Sequence, residues 1–238
     1  MPWTKKQYCQ DLVRFAEIVC RYDDSECISN GLGILHSIAY QFEFSDSALL
    51  EIEGVELRIH KKTAGTTPSE VQSLSINIDC LCDVNLNLDA SEYDVISQYG
   101  LQLEIVGYVG DKAYINCWHL DKDIPPQEGD VHNYTHPSYH FQAGGHRVEG
   151  LDTGELLLLG APRLPHPPMD IFLTIHFVIS NFFGKRDFPF VNDLFEDPDY
   201  QDILQRAKDR MFTPYFQAFG VNCTHQDFNV GKIFPLAV

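Results

Sequence analysis

The chain has 238 residues, 44% hydrophobic and 21% charged, a balance that supports a packed core and excludes a disordered or low-complexity chain. Its 34 Asp and Glu outweigh 17 Lys and Arg to give a formal charge of -17. That field repels phosphate backbones and anionic headgroups, so nucleic acid and membrane surfaces are excluded as partners.

Seven cysteines (Cys9, Cys20, Cys27, Cys80, Cys82, Cys117, Cys223) are odd in number and irregularly spaced, and the residues from Met1 to Lys6 carry no apolar signal core. Both features point to a reduced, cytoplasmic protein. The longest apolar stretch, Ile171 to Phe183, contains His176, Ser180 and Asn181 and falls short of the roughly 20 residues that span a bilayer.

Thr4 followed by Gln7 fits a capping box, and Tyr8, Leu12, Phe15, Ile18, Val19 and Tyr22 recur at helical spacing, which predicts a helix over 5–22. After a loop around Asn30, Gly31 and Gly33 the pattern alternates. Ile38, Tyr40, Phe42 and Phe44 read as one strand, and Leu50, Ile52, Val55, Leu57 and Ile59 as another, bent at Gly54. Beyond a polar loop over 61–70 come Leu74, Ile76, Ile78 and Leu81, then Leu101, Leu103 and Ile105, and a Gly110-Asp111 turn into Ala113, Ile115 and Cys117. The expectation is an antiparallel meander of four to five strands.

From about 121 to 163 the chain is rich in His, Pro and Gly and reads as a long irregular segment, broken by a short strand at Tyr139 to Gln142 and the run Leu156 to Leu159. Such segments within compact domains are usually functional. Pro167-Pro168 and Asp170 then open a helix whose apolar residues cover nearly every face, so it should lie buried on the sheet. A further helix runs from about Asp199 to Met211, and Pro214 separates it from a short apolar segment ending at Gly220. The layout is a single α+β domain over 1–238, with a C-terminal helical part over about 167–220 packed on the sheet.

Five of the ten histidines fall between His119 and His146. His132, His136, His140 and His146 form a candidate ligand pool for Zn or Fe, with Asp121 or Asp130 as carboxylate ligand or base. The spacing matches no helical or strand ligand motif, and Pro137 prevents a helix between His136 and His140. The simpler expectation is a cofactor-free structural clasp, in which His136 and His140 lie on one side of the loop and at least one ring donates to a backbone carbonyl. His119-Leu120-Asp121 has the spacing of a facial triad, with His166 downstream as a third ligand. It reads equally as a hydrogen-bonded strand end beside Trp118.

Among nucleophiles, Cys80 and Cys82 share one strand face between Asp79 and Asp83, whose charge raises a thiol pKa, so both read as core. Cys117, two residues before His119, is the better candidate, although it continues the Ala113 and Ile115 alternation into the core. Arg163 and His166 are candidate binding residues in the proline-rich approach to the buried helix. Arg163 could hold a carboxylate or phosphate, or pair with Asp170 or Glu149.

The element order, with His136-Pro137-Ser138 after the meander, resembles the ubiquitin-conjugating enzyme and RWD superfamily. In active members the tripeptide is His-Pro-Asn, its asparagine stabilises an oxyanion, and a cysteine within about ten residues carries the modifier. Here Ser138 replaces the asparagine and no cysteine lies between Cys117 and Cys223. The resemblance therefore implies a non-catalytic, binding version of the fold; with the acidic surface and the aromatic-rich Phe182-Phe183 and Phe188-Pro189-Phe190, which could seat a partner or close the core, the expectation is an interaction subunit among the other proteins of a cytoplasmic, bacterial-type assembly linked to ubiquitin-like modification. The competing expectation is a metal-assisted hydrolase using the histidine pool.

Overall fold

The computed structural model describes residues 4–23, 27–90, 92–123, 136–145, 148–152, 163–217 and 225–235. Helix α1 (Lys5–Tyr22) buries Tyr8, Leu12, Phe15 and Val19, the stripe that its periodicity predicts. The expected cap does not form: Thr4 makes no side-chain bond to the helix, and Gln7 Nε2 donates forward to Asp11 at 3.0 Å.

The first predicted strand is a helix. Short α2 (Ser29–Leu32) leads into α3 (Ile34–Phe44), in which Leu35 and Ala39 are buried and Ile38 and Phe42 pack on the core. Positions 35, 38, 39 and 42 form a helical stripe, whereas Tyr40 and Phe44, two members of the apparent alternation, face solvent. With apolar residues at every second position both periods can be drawn. The helix wins because it alone also buries Leu35 and Ala39, which a strand would have turned to the opposite face.

The rest of the meander is present. β1 (Leu49–Ile59), β2 (Leu74–Val84), β3 (Ile96–Val109), β4 (Lys112–Lys122), β5 (Tyr139–Ala143) and β6 (Leu164–Pro165) form a six-stranded sheet in sequence order, every neighbouring pair antiparallel. β1 bulges between Ile52 and Val55 around Gly54 (φ +76), where the bend was expected. Beside it α2 comes so close that a Cβ on Gly31 would sit 1.8 Å from the Glu56 carbonyl oxygen, so only glycine fits. β6 was not foreseen, because its Leu-Pro pair sits among prolines.

α4 (Ile171–Phe182) lies buried as predicted, with Asp170 capping it by accepting from Leu173 N at 3.1 Å. α5 (Phe190–Glu196) was not anticipated. α6 (Pro198–Gln217) runs through Pro214, where the sequence reading had ended it, and α7 (Val230–Ile233) closes the described chain. No helix among the described residues is long and apolar enough to cross a membrane.

One hydrophobic cluster joins α1, the inner sheet face, α4 and α6. Phe15 lies between Phe172 and Tyr200, each ring 5.3 Å away. Within the cluster's rim, Asp11 accepts from Arg206 Nη2 at 2.7 Å and Arg210 Nη1 at 3.4 Å, and Arg210 Nη2 reaches Asp170 at 3.2 Å. Burial holds the Asp170 carboxyl above its usual range despite Arg210. The partner of Asp170 is thus Arg210, not Arg163 as one reading of the sequence had it.

Strand alternation sends the other side chains to the opposite sheet face. There Glu51 and Glu53 stand exposed on β1, and Asn77, Asp79, Gln102, Glu104, His119 and Asp121 follow across β2 to β4.

Candidate functional site

At the β4–β6 end of this outer face the register gathers residues that are remote in sequence. Gln102 pairs with His119, His119 with Gln142, and Asp121 with His140, which in turn stands opposite Pro165. Cys117, His119 and Asp121 follow at every second position of β4 and so share this face. His136 joins them, its ring centroid 5.7 Å from that of His140.

Two imidazoles are held by carboxylates. His119 Nε2 lies 3.3 Å from Asp121 Oδ2, and His136 Nδ1 lies 3.0 Å from Asp123 Oδ1. An acceptor-only carboxylate calls for an N–H on the facing nitrogen of each ring. His140, 6% exposed, is pushed down to about 4 by burial, against the opposing Pro137 carbonyl and with help from nearby Arg163, His136 and His119. It is neutral at physiological pH.

A glycine strap closes the patch from above. Gly144 N donates to the Cys117 carbonyl at 2.8 Å, and Gly144 and Gly145 hold φ near +95. A Cβ on Gly145 would lie 3.0 Å from His119 Nδ1 and 3.9 Å from Gln102 Nε2, so the strap rests directly on both side chains. Four buried polar atoms of this patch have no hydrogen-bond partner among the described residues: Gln102 Nε2, His119 Nδ1, His140 Nδ1 and Arg163 Nε. Such atoms are normally satisfied by ordered water or by ligand atoms, and four of the seven among the described residues fall in this patch.

The structure therefore brings together Cys117, His119, Asp121, His136, His140 and Arg163. It separates His166, whose ring turns to the inner side, 5.7 Å from Phe141 and 6.5 Å from Phe212, with Nδ1 2.7 Å from the Pro167 carbonyl. The facial-triad grouping of His119, Asp121 and His166 is thus not formed. His132, His146 and Asp130 lie outside the described residues. Among the described residues no group of three or more His, Cys, Asp or Glu could hold a metal ion.

Cys117 is buried, but on the outer face rather than in the core, because its partner across the ladder is Glu104 while the core residue Leu103 faces Trp118. Cys80 and Cys82 do sit in the core. Burial pushes the Cys80 thiol up to about 12 and Cys82 well above the ordinary thiol value, with Asp170 adding to both.

The segment 136–138 is tied down at every residue able to donate. Ser138 N and Oγ both donate to the Lys232 carbonyl, at 2.8 and 3.2 Å, and Asp123 N donates to the Ser138 carbonyl at 2.8 Å. Gln102 and Gln142 escaped the sequence reading. Each occupies an ordinary outward position of its own strand, and only the cross-strand register sets them beside His119. Comparisons with models of known families, with curated proteins and with solved structures find no match for this chain.

Proposed function

We propose that the protein is a non-catalytic interaction subunit of a cytoplasmic multiprotein assembly of bacterial type, and that the assembly handles ubiquitin-like modifiers. The observation that carries this reading is the use made of His136-Pro137-Ser138. Where an active relative of the resembled superfamily would aim an oxyanion donor, Ser138 clamps the carbonyl of Lys232, and His136 is engaged by Asp123. Both side chains fasten the end of β4 to α7 rather than face a reacting atom.

Two further features support the reading. The N-terminal helix, strands β1 to β4, the tripeptide and the later helices occur in the order on which the resemblance was drawn, with α2 and α3 inserted before the sheet and β5 and β6 after the tripeptide. Cys80 and Cys82 are buried with raised pKa values, which removes them as ready nucleophiles.

The test is native purification from cells that express the neighbouring genes. A stoichiometric complex with one or more of their products is expected, and it should persist in Ser138→Ala, which weakens the clamp without removing a catalytic group. A chain that purifies with none of them overturns the reading.

A further inference from the structure

The outer-face patch leaves one charge unanswered. Arg14, Arg21, Arg58, Arg206 and Arg210 each face a carboxylate, the longest of these contacts being the 3.9 Å between Arg21 and Asp197. Among the described residues no carboxylate faces Arg163 or Arg186. Arg186 is exposed and solvated by water, whereas Arg163 is half-buried and its Nε is closed off from solvent without an acceptor. In a chain with 34 acids against 17 bases, a desolvated guanidinium without a carboxylate points to an anion supplied from outside.

The ladder register shows what surrounds it. Phe141 opposes Leu164, which sets residue 163 opposite Gln142; Gln142 opposes His119, and His119 opposes Gln102. The four positions form one row across the sheet, with Arg163 two strands from His119, about 10 Å from backbone to backbone. His140, 6% exposed, stands one outward position along β5, and both Arg163 and His119 act on its titration, so both lie within electrostatic reach of it.

Each group specifies part of a ligand. The Nε–H of Arg163 and the adjacent Nη–H form the parallel pair of donors that a carboxylate fills. One guanidinium balances one negative charge, while the chain's charge of -17, with Asp121 and Asp123 close by, opposes a phosphate carrying nearly two. At the other end of the row Gln102 Nε2 is a donor, and His119, with its Nε2–H toward Asp121, offers Nδ1 as an acceptor when the ring is neutral. A single hydroxyl accepts from the first and donates to the second. We infer that this patch binds a small hydroxy-carboxylate, the carboxylate on Arg163 and the hydroxyl between Gln102 and His119. The binding site is separate from the clamp on Lys232 and does not rest on the interaction-subunit reading.

Titrating the full chain with γ-hydroxybutyrate, butyrate and inorganic phosphate, followed by NMR of the arginine Nε–H and glutamine side-chain amide signals, tests this. The Arg163 and Gln102 signals should move together and saturate with a dissociation constant on the order of 1 mM for γ-hydroxybutyrate. Butyrate, which lacks the hydroxyl, should bind about tenfold more weakly, and phosphate more weakly than γ-hydroxybutyrate. Arg163→Met should weaken γ-hydroxybutyrate by about tenfold or more, and Gln102→Met should bring it down to about the affinity of butyrate, while Arg186→Met stays within about twofold of wild type. The wild-type signals locate the ligand even if Arg163→Met does not fold. The inference is overturned by an absence of saturation up to about 20 mM, by shifts that bypass Arg163, by affinity indifferent to Arg163→Met, or by butyrate or phosphate binding as tightly as γ-hydroxybutyrate. The measurement uses the chain alone, so its failure leaves the hetero-assembly proposal standing.

Discussion

Replacing His140 with Ala probes the outer-face patch most directly, because its effect should depend on pH in a calculable way. Burial lowers the ring from an ordinary 6.5 to about 4. At 1.36 kcal/mol per pH unit of displacement, the neutral ring's preference for the folded state amounts to roughly 3 kcal/mol at full titration. The folded pKa is depressed, so the contribution is complete above the unfolded value of 6.5 and is lost progressively as pH falls through the window from 6.5 to about 4. At about pH 5 some 2 kcal/mol of it has gone.

His140→Ala should cost about 2–3 kcal/mol near neutrality, through lost packing against His136 and the loss of a buried polar group from its network. In a chain of this size that is a melting difference of about 4–12 °C. Near pH 5 the variant, having no ring to protonate, should melt within about 4 °C of wild type. His176 is also held to about 4, and His166 and His225 are lowered, so wild type alone weakens in acid for several reasons. The difference between the two proteins isolates His140. A gap that stays constant or widens from pH 7 to pH 5 would falsify the assignment of a buried neutral ring.

Other changes have equally definite outcomes. Arg210→Met leaves Asp11 and Asp170 buried without that guanidinium and should cost about 3–5 kcal/mol in urea unfolding; a loss under about 1 kcal/mol would mean that Arg206 alone satisfies the pair. Gly145→Ala should destabilise by about 1–3 kcal/mol, more than Gly110→Ala, since both have positive φ but only the former Cβ meets His119. Iodoacetamide at mildly alkaline pH should leave Cys80 and Cys82 unmodified in the native chain and label both in urea, as peptide mass mapping will report. Elemental analysis should find metal well below one equivalent per chain after gel filtration. One tightly held equivalent, lost in both His136→Ala and His140→Ala, would instead install the metal-assisted hydrolase.

The sequence made the helices and strands legible wherever one period dominated. Leu74, Ile76 and Ile78 alternate, and β2 lies where they place it, with Cys80 and Cys82 continuing the inner face while Leu81, grouped with them in the sequence, takes the outer one. The stretch from Ile34 to Phe44 carries two apolar stripes on one helix, and their superposition mimics a strand. Only tertiary burial of Leu35 and Ala39 separates the two readings. Pro214 misled because a proline in the last turns of a helix loses one backbone bond, which the packing of Tyr215 can offset.

The candidate site was half visible for a related reason. His119, Asp121, His136 and His140 announce themselves by residue type. Their assembly with Gln102, Gln142 and Arg163 depends on β-ladder register, and register is set by turns and bulges across several strands rather than by any one segment. Residue type also overreached with His166, which shares the chemistry of the patch but faces the other side of β5.

The contact between α1 and α6 bears on how the chain is born. Each strand of the sheet pairs with the next one synthesised, so the ladder can zip up as the polypeptide leaves the ribosome. Asp11 must wait for Arg206, 195 residues later, and Phe15 waits for Tyr200. At about 5–20 residues per second that delay is roughly ten to forty seconds, during which the Phe15 end of the α1 stripe lacks Tyr200, although Phe42 of α3 already stands beside Tyr8. Nascent chains should therefore be held by chaperones until the penultimate helix emerges, and a stalled chain lacking it should aggregate rather than persist as a smaller folded protein.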